Sequence, residues 1–85
     1  MSFSASKRDA LDLTMPVAHR MSHLRSCAVL VAEKYRVPRS IIIERVARIA
    51  SVDITQAASD AEIERAVAAL QRLKELGLHE SDSNQ

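Results

Sequence analysis

The chain has 85 residues, 47% apolar, 27% charged and 2% aromatic, which suits one small core and is too apolar for a disordered tail. One Gly, two Pro and 13 Ala leave little turn punctuation for short strands, so a small all-α domain of three to four helices is expected and most large-enzyme architectures are excluded. The formal net charge is only +1, but residues 1–50 hold nine basic and four acidic side chains, against three and seven in residues 51–85.

Residues 1–12 mix Ser, Lys, Arg and Asp with little periodicity and read as a flexible arm, leaving 13–78 as a helical domain and 79–85 as a polar tail. Pro16 suits a first helical turn, with Thr14 placed to cap exposed donors. Val17, Met21, Leu24, Ala28, Val31 and Tyr35 then recur four and three apart as one helical stripe. Cys27, Val29 and Leu30 make the second half of this helix apolar on further sides, as expected of a central helix. Pro38 disfavours α geometry at Val37, so the helix should end near Arg36 and the next begin at Pro38 or Arg39. In that next segment Ile42, Val46 and Ile49 form a core stripe. Helix is preferred to strand for the Ile41-Ile42-Ile43 run because the spacing continues through Ala50.

Ser51–Ala58 has weak periodicity and reads as a connection. Ser59-Asp60-Ala61-Glu62 then has the form of a capping box, in which Ser hydroxyl and Glu carboxylate reciprocally bind exposed backbone N–H groups. Ile63, Ala66 or Val67, Leu70 and Leu73 line one face of a helix over 60–76, and Gly77 supplies a left-handed end, with Leu78 able to fold back on Leu73.

Little here suggests catalysis. His19, His23 and Cys27 stand four apart and would form a row of soft-metal ligands on a helix, but no convincing third and fourth ligand accompanies them. Solvent-facing histidines beside a half-buried thiol are the ordinary explanation, and neither a metal nor a cofactor is expected. The Cys27 and His23 pair also lacks the Gly-rich loop, inward carboxylates and oxyanion donors that nucleophilic chemistry uses, so the chain is not read as an enzyme. The lone cysteine closes no intrachain disulfide, no signal-peptide pattern is seen, and no run reaches the ~18 apolar residues of a membrane span. A cytoplasmic protein is expected, and at this size a homodimer is one route to further burial.

Two helix-turn-helix registers compete. Val31 to Ile42 has the small residue, apolar turn residue and apolar anchor of the two-helix DNA-reading unit, with Arg36 where Gly is usual. That register puts Ile43 towards base edges and Arg45 near a normally buried place. The second register takes Pro38 to Ala50 as supporting helix and Asp60 to Leu76 as the recognition-like helix. Its connection exceeds the usual turn of ~3–4 residues, and the polar tail is too short for a β wing.

The helix order, long turn and amphipathic last helix of residues 13–78 resemble the extended-turn helix-turn-helix domain of regulators encoded on proteobacterial integrative and conjugative elements. The resemblance implies an antiactivator: a small protein that captures a transcriptional activator and blocks it, in control of quorum sensing or mobile-element transfer. Charge bears on this separately. Asp60, Glu62 and Glu64 at the start of the last helix oppose a phosphate backbone and suit a basic protein partner. The expected partner face is Asp60, Glu62, Glu64 and Arg65, with Ile41 and Ile43 as an apolar hot spot if exposed. The alternative is a DNA-binding regulator that uses Arg36, Arg39, Ser40, Arg45 and Arg48, helped by Arg20 and Arg25.

Overall fold

The computed structural model describes residues 2–83, with side chains described through Leu78. Four helices form an all-α domain: α1 (Phe3–Ala10), α2 (Val17–Tyr35), α3 (Arg39–Ala50) and α4 (Asp60–Ser83). No strand occurs among the described residues. The central α2 packs against each of the other three helices, as its many-sided apolar pattern requires.

The N-terminal segment differs from the expected arm. Ser2 caps α1 by accepting the Ala5 N–H at 3.1 Å, and Phe3, Ser6 and Ala10 fall on one buried face. Only one of these three is large and apolar, so the stripe is faint in the sequence. The small Ser6 and Ala10 let α1 lie close on α2, while Lys74 stands over the Phe3 ring at 5.1 Å. The packed helical unit therefore begins at residue 3 and not at 13.

Asp12-Leu13-Thr14-Met15 links α1 to α2 through an Asx turn. Asp12 Oδ1 accepts from the Thr14 N–H at 2.9 Å and the Thr14 hydroxyl at 2.6 Å. Thr14 is thus spent on the turn and does not cap α2, whose N-cap is Pro16 with no side-chain bond. Along α2, Arg20, Met21, Leu24, Cys27, Ala28, Val31 and Ala32 are buried, whereas Val17, the expected start of the stripe, is 42% exposed.

The helix stops as the sequence indicates. Arg36 takes a left-handed conformation (φ 56°, ψ 46°), the Arg36 N–H bonds the Glu33 carbonyl and the Val37 N–H bonds the Ala32 carbonyl. This is a Schellman ending closed by Pro38, built on an arginine where glycine would cost less. In α3, Ile42, Val46 and Ala50 face the core, and Ser51 (φ 58°) ends the helix by bonding the Ala47 carbonyl at 3.0 Å. Ile49 is 40% exposed, so it is not the core residue its spacing suggested.

The link to α4 is more than a spacer, because Val52 and Ile54 are buried within it. Between them Asp53 repeats the Asx turn, accepting from the Thr55 N–H and hydroxyl at 2.9 and 2.6 Å. α4 buries Ile63, Ala66, Val67, Ala69, Leu70 and Leu73. Gly77 breaks it with φ 82°, ψ 173°, a region essentially reserved for glycine, and helix then resumes to Ser83. Leu78 returns to the core as expected. The polar tail read over 79–85 has a helical backbone as far as Ser83, and its last two residues lie outside the described ones.

One polar side chain crosses this core. Arg20, 2% exposed, donates from Nε to the Ala10 carbonyl at 2.9 Å and from Nη1 to Asp60 Oδ1 at 2.6 Å, joining α2 to the end of α1 and the start of α4. Removing the acceptor strands a buried cation. Asp60→Ala is expected to lower stability in urea unfolding by about 2 kcal/mol, and adding Arg20→Met to it is expected to cause no further loss.

Candidate partner-binding surface

The leading turn of α4 carries the expected capping box. The Ser59 N–H bonds Glu62 Oε1 at 2.8 Å and the Glu62 N–H bonds Ser59 Oγ at 3.2 Å. These bonds, from the Ser59 backbone and then its hydroxyl, hold the Glu62 carboxyl below its ordinary value of 4.5. Asp60 is taken up by Arg20. The anionic tip anticipated for this helix is therefore reduced. Of its three carboxylates, only Glu64 has no hydrogen bond or ion pair among the described residues.

Arg65 reaches across to α3 and donates from Nε to the Ala50 carbonyl at 3.2 Å, satisfying a carbonyl left open where Ser51 ends that helix. Its side chain thus marks one wall of an open groove of about 720 Å³ between α3 and α4, lined by Ile49, Ala50, Ser51, Arg65, Ala68, Ala69 and Arg72. Ile49 gives it an exposed apolar edge, and the alanines leave the floor low. Glu64 lines a smaller groove towards α1 with Lys7, Leu11, Gln71 and Glu75, and Ala68 and Arg72 form the ridge that the two grooves share. Of the expected acidic and basic partner residues, the structure brings Arg65 alone to the α3–α4 groove.

The proposed apolar hot spot does not form where expected. Ile41 and Ile43 are half-buried. Ile43 packs on the core and lines a cavity of about 160 Å³ with Arg25, Arg39 and Ile54, facing the seam between α2 and the link. Sequence periodicity assigned Ile49 to the core and missed Ala68 and Arg72. Their spacing with Arg65, at positions 65, 68 and 72, was the available signal for an outward seam on α4.

The basic set is split in the same way. Arg36, Arg39 and Ser40 are exposed around the α2–α3 turn. Arg45 is half-buried and donates to the Leu78 carbonyl at 3.3 Å, while Arg48 pairs with Glu44 at 3.6 Å on the outer side of α3. Arg25 donates to the Ile54 carbonyl at 3.0 Å, and Arg20 is inside. Arg20 is thereby removed from any phosphate-binding surface, whereas Arg25 keeps its terminal nitrogens and lines the surface beside Arg39. Arg36 and Arg39 are exposed at the turn, while Arg45 and Arg48 are bonded further along α3.

In the His19, His23 and Cys27 row, the two rings meet edge to face with centroids 4.6 Å apart, and His23 Nε2 stands 3.8 Å from Asp9 Oδ2. Cys27 is fully buried, not half-buried, and burial pushes its thiol up to about 11. Among the described residues no cluster of three His, Cys, Asp or Glu side chains is placed to hold a metal ion, and no helix is long and apolar enough to cross a membrane.

Comparison with protein-family models, curated proteins and solved structures gives no match to this chain.

Two expectations follow from these environments. Cys27 should resist iodoacetamide in the folded protein and react at least ~100-fold faster in urea, as read by mass spectrometry. Glu62, whose folded value is lowered, contributes stability that is complete above 4.5 and lost as pH falls through that lower value. Asp12 and Asp53, lowered mainly by the hydroxyls of Thr14 and Thr55, act with the same sign below 3.8. Glu62→Gln keeps an acceptor for the Ser59 N–H, so stability measured from about pH 6 to about pH 3 should fall less steeply in that variant than in the wild type.

Proposed function

We propose that this chain is a small cytoplasmic regulatory module that works by protein contact, without catalysis or a cofactor, capturing a transcriptional activator and blocking it. In this reading it resembles the antiactivator QseM and serves the control of quorum sensing or of a mobile element. The observation that carries the reading is the contrast between two surfaces. Of the arginines that would track phosphates, Arg20, Arg25, Arg45 and Arg48 are bonded to internal carbonyls or to Glu44. Between α3 and α4, by contrast, lies an open groove with a floor of small apolar residues. DNA affinity rests on several cations neutralising phosphates together, which internally bonded guanidinium groups serve poorly. A groove beside an exposed isoleucine instead suits an apolar anchor from a protein partner.

A second reading has one specific observation in its favour. Arg36, Arg39 and Ser40 are exposed together at a three-residue turn and the first turn of α3, where a DNA-reading helix presents itself. Glu44 on the next turn weakens it.

The deciding experiment is a pull-down of the tagged full chain from its native cytosol, followed by mass spectrometry. Recovery of a transcription factor is expected, reduced at least tenfold by Ala68→Glu, an exposed substitution that should leave the helical circular dichroism unchanged. Recovery of nucleic acid without protein, together with a salt-sensitive gel shift lost in Arg39→Ala, would replace capture by DNA binding.

A further inference from the structure

The α3–α4 groove has a charge pattern that specifies its occupant more closely than its shape does. Its lining contains two guanidinium side chains, Arg65 and Arg72, and no carboxylate. Arg72 is exposed and makes no hydrogen bond or ion pair among the described residues. Arg65 spends its Nε on the Ala50 carbonyl, which fixes the direction of the side chain and leaves its terminal nitrogens for another acceptor. Between the two cations lie Ala68 and Ala69, with Ile49 and Ala50 across the groove on α3.

Seven residues separate Arg65 from Arg72. On a helix this is two turns, about 10.5 Å along the axis and nearly the same angular position. A second helix lying along the groove repeats its own side chains at the same interval. We infer that the groove binds an amphipathic α-helical segment of a protein partner, with two carboxylates seven residues apart that pair with Arg65 and Arg72. A bulky aliphatic residue midway between them seats over Ala68 and Ala69 against Ile49.

This inference rests on the capture reading and supplies the chemistry of the captured segment. It also reverses the sign of partner expected from the sequence. Of the three carboxylates that argued for a basic partner, Asp60 is engaged by Arg20 and Glu62 by its cap, while Glu64 is unpaired among the described residues and lies in the groove towards α1; none of them lines the α3–α4 groove.

α4 has one pair of acids seven apart, Glu75 and Asp82, and Gly77 stands between them with non-helical φ 82°, ψ 173°. The break means that these two positions are not two regular turns apart, and counting forward seven from Glu64 reaches Gln71. A second copy presenting that helix therefore offers no acid pair at regular helical spacing, which is why the groove is assigned to another protein.

The test uses the full chain and three labelled synthetic helical peptides of equal length. The first has Glu at positions i and i+7 with Leu at i+3 and i+4, the second replaces both Glu by Lys, and the third moves the second Glu to i+5. Fluorescence anisotropy should show saturable, salt-sensitive binding of the first peptide. Amide shift changes should centre on Ile49, Ala68 and Ala69, with at least tenfold weaker binding of the other two peptides. Arg72→Glu, which touches no internal bond, should weaken the first peptide at least tenfold, and Arg65→Glu/Arg72→Glu should prefer the Lys peptide.

Equal binding of the Glu and Lys peptides, shifts centred away from the groove, or no saturation of the first peptide would each overturn the assignment. The two readings fail separately. If the pull-down recovers an activator whose capture ignores Arg72→Glu, the groove assignment falls and capture stands. If the acidic peptide binds as described but only nucleic acid is recovered from cytosol, capture falls and the groove chemistry stands.

Discussion

The architecture turns on a buried cation. Arg20 is the first buried residue of α2, and its guanidinium holds the last carbonyl of α1 with one nitrogen and the first carboxylate of α4 with another. A charge in such a place is stabilising only while its partners stay in position, since an unpaired guanidinium away from water is far costlier than an apolar side chain. The same bond therefore fixes two things at once: that the N-terminal segment docks as a helix, and that α4 starts at a set point relative to α2. From that start, the heptad spacing along α4 determines which side chains meet α3 and which look outward. Nη2 of Arg20 has no partner among the described residues, so the junction is not fully satisfied even as built.

Charge in this chain does not stay where its sequence suggests. The first fifty residues are rich in arginine and the remainder in carboxylates, and in a linear reading the two halves have opposite surfaces. Folding pairs them instead. Arg20 meets Asp60, Arg65 returns to the α3 terminus, and Arg25 caps a carbonyl in the link. A guanidinium nitrogen that satisfies an open carbonyl at a helix end or in a loop is used for folding and lost to a ligand, while the other nitrogens of that side chain keep their donors. What remains for recognition beside the main groove is the terminal nitrogens of Arg65 and the whole of Arg72, which found no internal acceptor among the described residues.

Local chemistry made much of the fold legible before any coordinates. The Ser59 to Glu62 box, the end of α2 before Pro38 and the break in α4 at Gly77 depend on a few adjacent residues, and each occurs where those residues place it, although helix resumes beyond Gly77. Features that depend on distant partners were not readable. The α1 stripe contains Ser6 and Ala10, which gain their burial from what α2 offers them. Val52 and Ile54 look like loop residues until the core they plug is present. Ile49 has the right interval for the α3 core stripe, yet the α3–α4 approach leaves it at the rim, and Arg20 reads as a surface cation until Asp60, forty positions away, arrives beside it. The candidate site suffered most because a groove belongs to two helices and periodicity describes one.

The connection between α3 and α4 has a consequence for association. Its two aliphatic plugs and its Asp53 turn secure a segment that would otherwise act as a hinge, so the two walls of the groove are held at a preset separation. A visitor then meets a rigid slot and not a loop that must first be ordered. Less conformational entropy is lost on docking, and selectivity is exercised by width and by the interval between cations, with little room for the slot to adapt to a poorly matched guest.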